Sequence, residues 1–214
     1  MSIPLEAIRR AYDAVAPGYA ERFRDELDLK PLDRAMLQVF AERVRGKGVV
    51  ADVGAGPGQV VRHLHGLGVE AVGVDLSPAM VEEARRLSGG VPVQFRVGNF
   101  LALDVADGAL AGATAFYAHV HIPAHQLHGA FTELHRVLRP GSPALLAFHV
   151  GDEKLELTQW FDKAVKLEFH FHTWDAFAGG LRDTGFAVEA KLERYPYAPL
   201  EHPSMRGYVL ARRE

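Results

Sequence analysis

The sequence predicts an α/β protein built on a doubly wound, seven-stranded, mostly parallel sheet with helices on both faces. Three observations carry that prediction. From Gly46 onward, short Val-rich apolar runs alternate with helical patterns, the signature of βαβ units. The first of these runs ends in glycines at 54, 56 and 58, which make a tight strand-to-helix turn. The last two runs are joined by a loop containing Pro196, Pro199 and Pro203, with no crossover helix between them. They are therefore expected to pair antiparallel and to make the sheet mixed.

In chain order, Tyr12 and Tyr19 fall in a short amphipathic segment able to fold over a pocket. Leu37, Phe40 and Val44 then line one face of a helix expected to pack outside the first strand. The expected strands are Val49 to Val53, Ala71 to Val74, Val93 to Val97, Leu110 to Tyr117 and Ala144 to Val150, followed by Ala187 to Arg194 and Tyr208 to Arg212. Ser77 followed by Pro78 reads as a helix N-cap and first helical residue, and Thr173 caps a helix that Gly185 ends. Leu127, Phe131, Leu134 and Leu138 recur at helical spacing until Pro140 and Gly141 stop the pattern, and these four are read as core.

A chain of 214 residues without repeats, low-complexity tracts or a long linker suits one domain, 1–214, with residues 1–45 as an amino-terminal helical lid and packing helix and 46–214 as the core. Hydrophobic residues at 48% and charged residues at 24% give the balance of a globular protein. The absence of cysteine excludes disulfides, thiolate metal sites and a cysteine nucleophile together. The opening stretch carries charges throughout and has no long apolar core, so neither a signal peptide nor an anchor is expected, and a cytoplasmic location is the default. No membrane partner is expected, because no run reaches the roughly 18 apolar residues of a spanning helix. A net charge of −3 argues against a nucleic-acid partner, and the basic group of Arg206, Arg212 and Arg213 reads as a solvated chain end.

The informative stretch is Val49 to Gln59, a hydrophobic strand running through Asp52 into the glycine turn. Glycines there permit unusual φ values and close approach of a ligand, and the following helix opens with free N–H groups. In open parallel sheets, ligands sit beyond the carboxyl ends of the strands at such a turn. The dinucleotide fingerprint needs its third glycine at the sixth position, which here is Gln59, so a nicotinamide cofactor fits poorly. Asp75 ends the second strand, placed to accept hydrogen bonds from both hydroxyls of a ribose in either cofactor class.

Taken together, Tyr12-Asp13 with Tyr19, Asp52 to Gly58, Gly73 to Pro78 with Met80, Val97-Gly98-Asn99, His121-Ile122-Pro123, Arg136 to Gly141 and Gly185-Phe186 resemble the class I S-adenosylmethionine (SAM)-dependent methyltransferases, in particular the small bacterial enzymes acting on small molecules. The resemblance spans nearly all the chain in the expected order. It implies strand order 3-2-1-4-5-7-6 with strand 7 antiparallel, and SAM as cofactor with S-adenosylhomocysteine (SAH) as product. It also implies that Asp52, Gly54, Ala55, Gly56 and Gly58 hold the methionine moiety, that Asp75 clamps the ribose and that Leu76 and Met80 pack on the adenine. Tyr12 and Tyr19 would close over the carboxylate and methyl group. Asn99 stands where the family usually has an aspartate facing the adenine amino group, with the Phe100 N–H donating to the ring; its carbonyl oxygen can still accept. Ala55 for a frequent cysteine and Ser142 for a usual glycine are milder departures.

Methyl transfer is an in-line displacement, so the protein must align donor and acceptor, exclude water and, where needed, remove a proton. His121, after the fourth strand, is the candidate base; the alternative is that it shapes the pocket. His119 and His121 form a weak ligand pair without a carboxylate cluster, so no metal is expected. His149, His170 and His172 fall near the fifth strand and beyond it with a strand-like alternation, and His149, Trp160 and His172 are the candidate acceptor contacts. The segment 151–171 either covers the acceptor or forms an exposed amphipathic helix. Because the core consumes nearly the whole chain, a small-molecule acceptor methylated at oxygen, nitrogen or carbon is expected, on a monomer or homodimer. The rival readings are a SAM-binding protein that has lost catalysis and, behind it, an NAD-dependent oxidoreductase.

Overall fold

The computed structural model describes residues 3–214. Two helices precede the sheet: α1 (Leu5–Phe23), longer than the short segment expected around Tyr12 and Tyr19, and α2 (Pro31–Val44). The core then alternates as β1 (Val50–Val53), α3 (Gln59–Gly66), β2 (Ala71–Asp75), α4 (Pro78–Leu87), β3 (Gln94–Val97), β4 (Gly112–Phe116), α5 (Leu127–Val137) and β5 (Pro143–Val150). After it come β6 (Lys154–Trp160), β7 (Lys163–His170), α6 (Trp174–Asp183), β8 (Phe186–Arg194) and β9 (Met205–Arg213).

The seven-stranded sheet has the order β3-β2-β1-β4-β5-β9-β8, with β9 antiparallel to both neighbours. This is the expected order and polarity once the separate hairpin β6-β7 is set aside. The caps are those read from the sequence. Ser77 Oγ accepts from the Met80 N–H at 3.1 Å ahead of Pro78, and Thr173 Oγ1 accepts from the Ala176 N–H at 3.2 Å. The fourth strand is shorter than expected at both ends. Leu110 makes only an isolated bridge to Leu138, and the backbone swings to φ +59° at Tyr117.

Each face of the sheet buries a different set of side chains. Phe131, Leu134, Phe177, Leu181 and Phe186 pack against Ala113, Leu146 and Phe148 on one face. Leu37, Phe40, Val44, Val61 and Leu64 cover Val50 and Leu145 on the other. Each such side chain contributes roughly 1.5–3 kcal/mol on full burial.

The segment 151–171 is a β-hairpin, so the helical alternative for it is corrected. Leu155 and Leu157 alternate with polar neighbours, and the turn at Phe161 (φ +46°) and Asp162 (φ +59°) closes it. Two successive positive φ values match the twist of a tight hairpin. The hairpin packs on α1, with Trp160 edge-on to Tyr12 at 5.7 Å and to Tyr19 at 5.3 Å between ring centres. The carboxylate of Asp13 on α1 ties that helix to the core: Oδ1 accepts from Ser77 Oγ at 2.6 Å and from the Ala79 N–H at 3.2 Å. α1 and the hairpin thus form a roof over the carboxyl ends of the central strands.

Candidate active site

Under that roof lies a cavity of about 620 Å³, within the range of roughly 300–1,000 Å³ usual for small-molecule sites. Its floor is the turn after β1. Gly54 and Gly58 adopt φ +74° and +81°, and a Cβ on either would strike a neighbour: Ala118 Cβ at 2.4 Å and Phe95 Cζ at 2.6 Å. These two glycines are demanded by packing. Gly56, also at positive φ, would place a Cβ in ordinary contact with Tyr19 Cε1 at 3.7 Å.

Asp75 stands beside the turn. Its Oδ2 accepts from the Gly56 N–H at 2.8 Å and its Oδ1 from the Ser77 N–H at 2.9 Å. Burial raises its pKa above the usual carboxylate value, while those N–H groups pull the other way. A carboxylate offers about four acceptor positions, so two remain for a ligand.

Of the other residues singled out in the sequence, Tyr12, Tyr19, Ala55, Leu76, Asn99, Phe100, His121, His149 and Trp160 line this cavity. The Asn99 Oδ1 already accepts from the Leu101 N–H at 2.9 Å. Gly58, packed against Phe95 and Ala84, does not line it, and neither do three more. Asp52 is buried behind the wall, where it accepts from Thr114 Oγ1 at 2.6 Å and burial pushes its pKa up to about 7. Met80 is fully enclosed with Val15 and Ala16 between α1 and α4. His172 extends the edge of β5 through a bridge to Val150 and turns inward, donating from Nε2 to the His119 carbonyl at 3.3 Å. Helix and strand packing, not exposure to a ligand, accounts for all three positions.

His121 is held at both ring nitrogens. Nδ1 lies 2.8 Å from the Glu168 backbone carbonyl, which can only accept, so Nδ1 carries the hydrogen. Nε2 is therefore the lone-pair side, and it accepts from the Tyr12 hydroxyl at 2.8 Å. Burial pushes the imidazole pKa down to about 4 in spite of the Glu168 carbonyl, so the ring is neutral near pH 7. Burial, followed by Asp75, raises the Tyr12 pKa.

A second group of cavity residues escaped the sequence reading: Glu26, Lys30, Asp33, Tyr117, Glu201 and Arg206. Lys30 pairs with Glu26 at 2.5 Å and Glu201 at 3.1 Å. Arg194, just behind, pairs with Asp33 at 2.9 Å and Glu201 at 2.6 Å. Burial works against the Lys30 ammonium, yet Glu26 and Glu201 hold its pKa above the usual lysine value. Burial likewise opposes ionisation of Glu201, but Arg194 and the Tyr197 N–H take its pKa down to about 2. The reading of Arg206 as a solvated chain end is corrected: it is 3% exposed and donates to the Ser204 carbonyl and hydroxyl. A basic cluster in sequence says nothing of pairing at long range, and β9 is an interior strand in which Arg206 faces the cavity. Among the described residues no group of three or more His, Asp or Glu side chains is placed to hold a metal ion, and no helix is long and apolar enough to cross a membrane.

A family model described as a methyltransferase domain matches residues 50–141. Malonyl-[acyl-carrier protein] O-methyltransferase of Enterobacter lignolyticus is 29% identical over 157 residues, covering 72% of this chain and 58% of that protein. The chain thus spans less than two thirds of that relative's length. Among solved structures, geranyl diphosphate C-methyltransferase of Streptomyces coelicolor, in complex with Mg2+, geranyl diphosphate and SAH, aligns over 92% of this chain and 84% of its own, with a TM-score of 0.68 and 14% identity. The [4+2]-cyclase SpnF aligns over 100% of this chain and 97% of its own, with a TM-score of 0.73 and 15% identity. Residues 50–141 match a methyltransferase domain, and the sheet order and layering of the chain are those of the SAM-dependent methyltransferase structures it resembles.

Proposed function

We propose that this protein transfers a methyl group from SAM to a small-molecule acceptor at oxygen, nitrogen or carbon, acting as a single domain over residues 1–214. The observation that carries the reading is the continuity of the cavity, which runs from the glycine turn and Asp75 to the paired Tyr12 and His121 beneath one aromatic roof. The residues fit the cofactor: the free acceptor positions on Asp75 suit the ribose hydroxyls, and Gly54, Gly56 and Asp75 line the cavity beside the turn. When bound, SAM supplies an electrophilic methyl on a sulfonium.

The chain's own residues then align, enclose and deprotonate. For an acceptor carrying a hydroxyl, the proton passes to the Tyr12 Oη as the Tyr12 proton moves to His121 Nε2. The Glu168 carbonyl holds the opposite N–H in place. A proton on His121 would place a positive charge there to balance the one that a bound sulfonium donor would give up, so the total charge of the enclosed site would be unchanged. A His121→Gln variant is expected to retain SAH affinity and to lose about 10²-fold in methyl transfer, a typical general-base contribution. Equal turnover in the variant would assign His121 to shaping the pocket.

The first test of the reading is thermal unfolding with SAM, SAH and NADH added separately. A ligand at 100 times its Kd stabilises by roughly 2.7 kcal/mol, and a domain of this size gains about 2–4 °C per kcal/mol. SAM and SAH are expected to raise the midpoint and NADH to leave it unchanged; the reverse pattern overturns the reading. A second reading, SAM binding without methyl transfer, is favoured by one observation, the full-length likeness to a cyclase. Transfer of labelled methyl to any acceptor, abolished with the cofactor site, excludes it.

A further inference from the structure

Three cations and three anions, Lys30, Arg194 and Arg206 with Glu26, Asp33 and Glu201, meet at the end of the cavity beyond β4 and β5. Their charges balance, and they are bonded to one another or to backbone. A further ion brought among them would meet a carboxylate for every cation and would give up its hydration without a free counter-charge.

Two polar atoms outside this balance belong to Asp33 and His149; a third, the buried Gln59 Oε1 beside Glu26, also has no hydrogen-bond partner. Asp33 is 1% exposed and its Oδ1 has no hydrogen-bond partner. The second is Nε2 of His149, whose Nδ1 lies 2.8 Å from the Ser204 hydroxyl. That hydroxyl accepts from the Arg206 guanidinium at 2.5 Å, and its one hydrogen goes to the nearer imidazole, His149, instead of His202 at 3.4 Å. His149 Nδ1 then accepts, and Nε2 carries a hydrogen with no partner among the described residues. The end of the cavity therefore holds a spare donor at His149 and a spare, buried acceptor at Asp33, besides that of Gln59, and leaving such groups unmatched is costly.

The walls beside His149 are flat. His149 stacks on Phe171 with ring centres 4.8 Å apart and planes 12° from parallel, and the Tyr117 ring lies 5.1 Å from His149. Tyr117 sits at φ +59°, a sparsely populated conformation for a non-glycine residue. Lys30 and Arg206 flank its ring at 5.7 and 5.6 Å.

We propose that this end of the cavity, between Asp33 and His149, recognises the remote end of an uncharged acceptor: a hydroxyl or carboxamide carried on a flat apolar body. Such a group accepts from His149 Nε2 and donates to Asp33 Oδ1, whereas a carboxylate or phosphate satisfies the first and is repelled by the second. The proposal rests on the methyltransferase reading only in naming the ligand an acceptor.

The test titrates the protein, with and without saturating SAH, with benzamide, benzoate and toluene while following its amide NMR signals. Benzamide is expected to shift signals around Tyr117 and Phe171 and to bind at least 10-fold more tightly than benzoate or toluene. A His149→Phe variant, which keeps the stacking on Phe171, is expected to lose that preference and to keep its SAH affinity. Benzoate binding as well as benzamide, toluene matching it, or no fragment bound at this end overturns the proposal and leaves the cluster a structural ion network. If the variant fails to fold, the three-fragment comparison on the unaltered protein still decides. Failure of SAH to bind counts against the methyltransferase reading alone, since the titration without SAH is independent of it.

Discussion

An Asp75→Ala variant is expected to bind SAH about 10²–10⁴-fold more weakly than the unaltered protein. The carboxylate retains two acceptor positions after meeting the Gly56 and Ser77 N–H groups. A hydrogen bond to a charged group contributes roughly 1.5–3 kcal/mol, so two ribose hydroxyls held there amount to about 3–6 kcal/mol. The substitution also frees two backbone N–H groups at the glycine turn, so folding is checked by thermal unfolding without ligand. Asp75→Asn serves as the matched control: it keeps one acceptor oxygen and is expected to fall between the two. Calorimetric titration with SAH reads the effect, and an unchanged Kd for the alanine variant would remove Asp75 from the cofactor site.

Replacing His119 by phenylalanine is expected to stabilise the protein, and more so in acid. His119 has no exposed surface, and neither ring nitrogen has a hydrogen-bond partner. It sits among Phe100, Phe131 and Phe177 with ring centres 4.9 to 5.8 Å away. Relieving the unmatched nitrogens is worth about 1–3 kcal/mol at neutral pH. Burial, with His172 adding to it, lowers the His119 pKa to about 3 from an ordinary 6.5. Below pH 6.5 the unfolded chain binds a proton there that the native protein refuses, so native stability falls by about 1.4 kcal/mol per pH unit until roughly pH 3. The variant lacks that loss. Its advantage therefore grows to about 3–5 kcal/mol at pH 5, or roughly 6–20 °C in Tm. Groups that titrate the opposite way, such as Asp52 with its raised pKa, are common to both proteins and cancel in the difference. Thermal unfolding of the pair at pH 7.5 and pH 5 measures it, and an advantage that does not widen in acid would contradict the burial of His119.

The sheet was readable because its signals are local. Val50 to Val53 running into three glycines, Ser77 before Pro78, and the helical spacing of Leu127, Phe131 and Leu134 each need only a few neighbouring residues. The hairpin at 154–170 was harder, because its turn places Phe161 and Asp162 at positive φ where glycine or asparagine would announce it. The turn glycines were legible as a turn but not in their separate duties, since the atoms that forbid a side chain at Gly54 and Gly58 belong to Ala118 and Phe95. The ion cluster was not legible at all. Lys30 and Asp33 lie more than 160 residues from Arg194 and Glu201, and only the folded sheet brings them together.

The position of β9 between β5 and β8 has a consequence for the order in which the molecule is made. β5 bonds β4 on one side as soon as both exist, but eight of its residues await partners from Met205–Arg212 on the other. Chains emerge from the ribosome amino-terminus first and fold by units as they appear. The half of the sheet that carries the glycine turn and Asp75 can close while β5 still presents a bare edge. Arg206, which completes the far end of the cavity, is delivered later still, with β9. A nascent chain is thus equipped to grasp an adenosyl ligand well before it can tell one acceptor from another, and during that interval the open edge of β5 is its most exposed site for pairing with another chain.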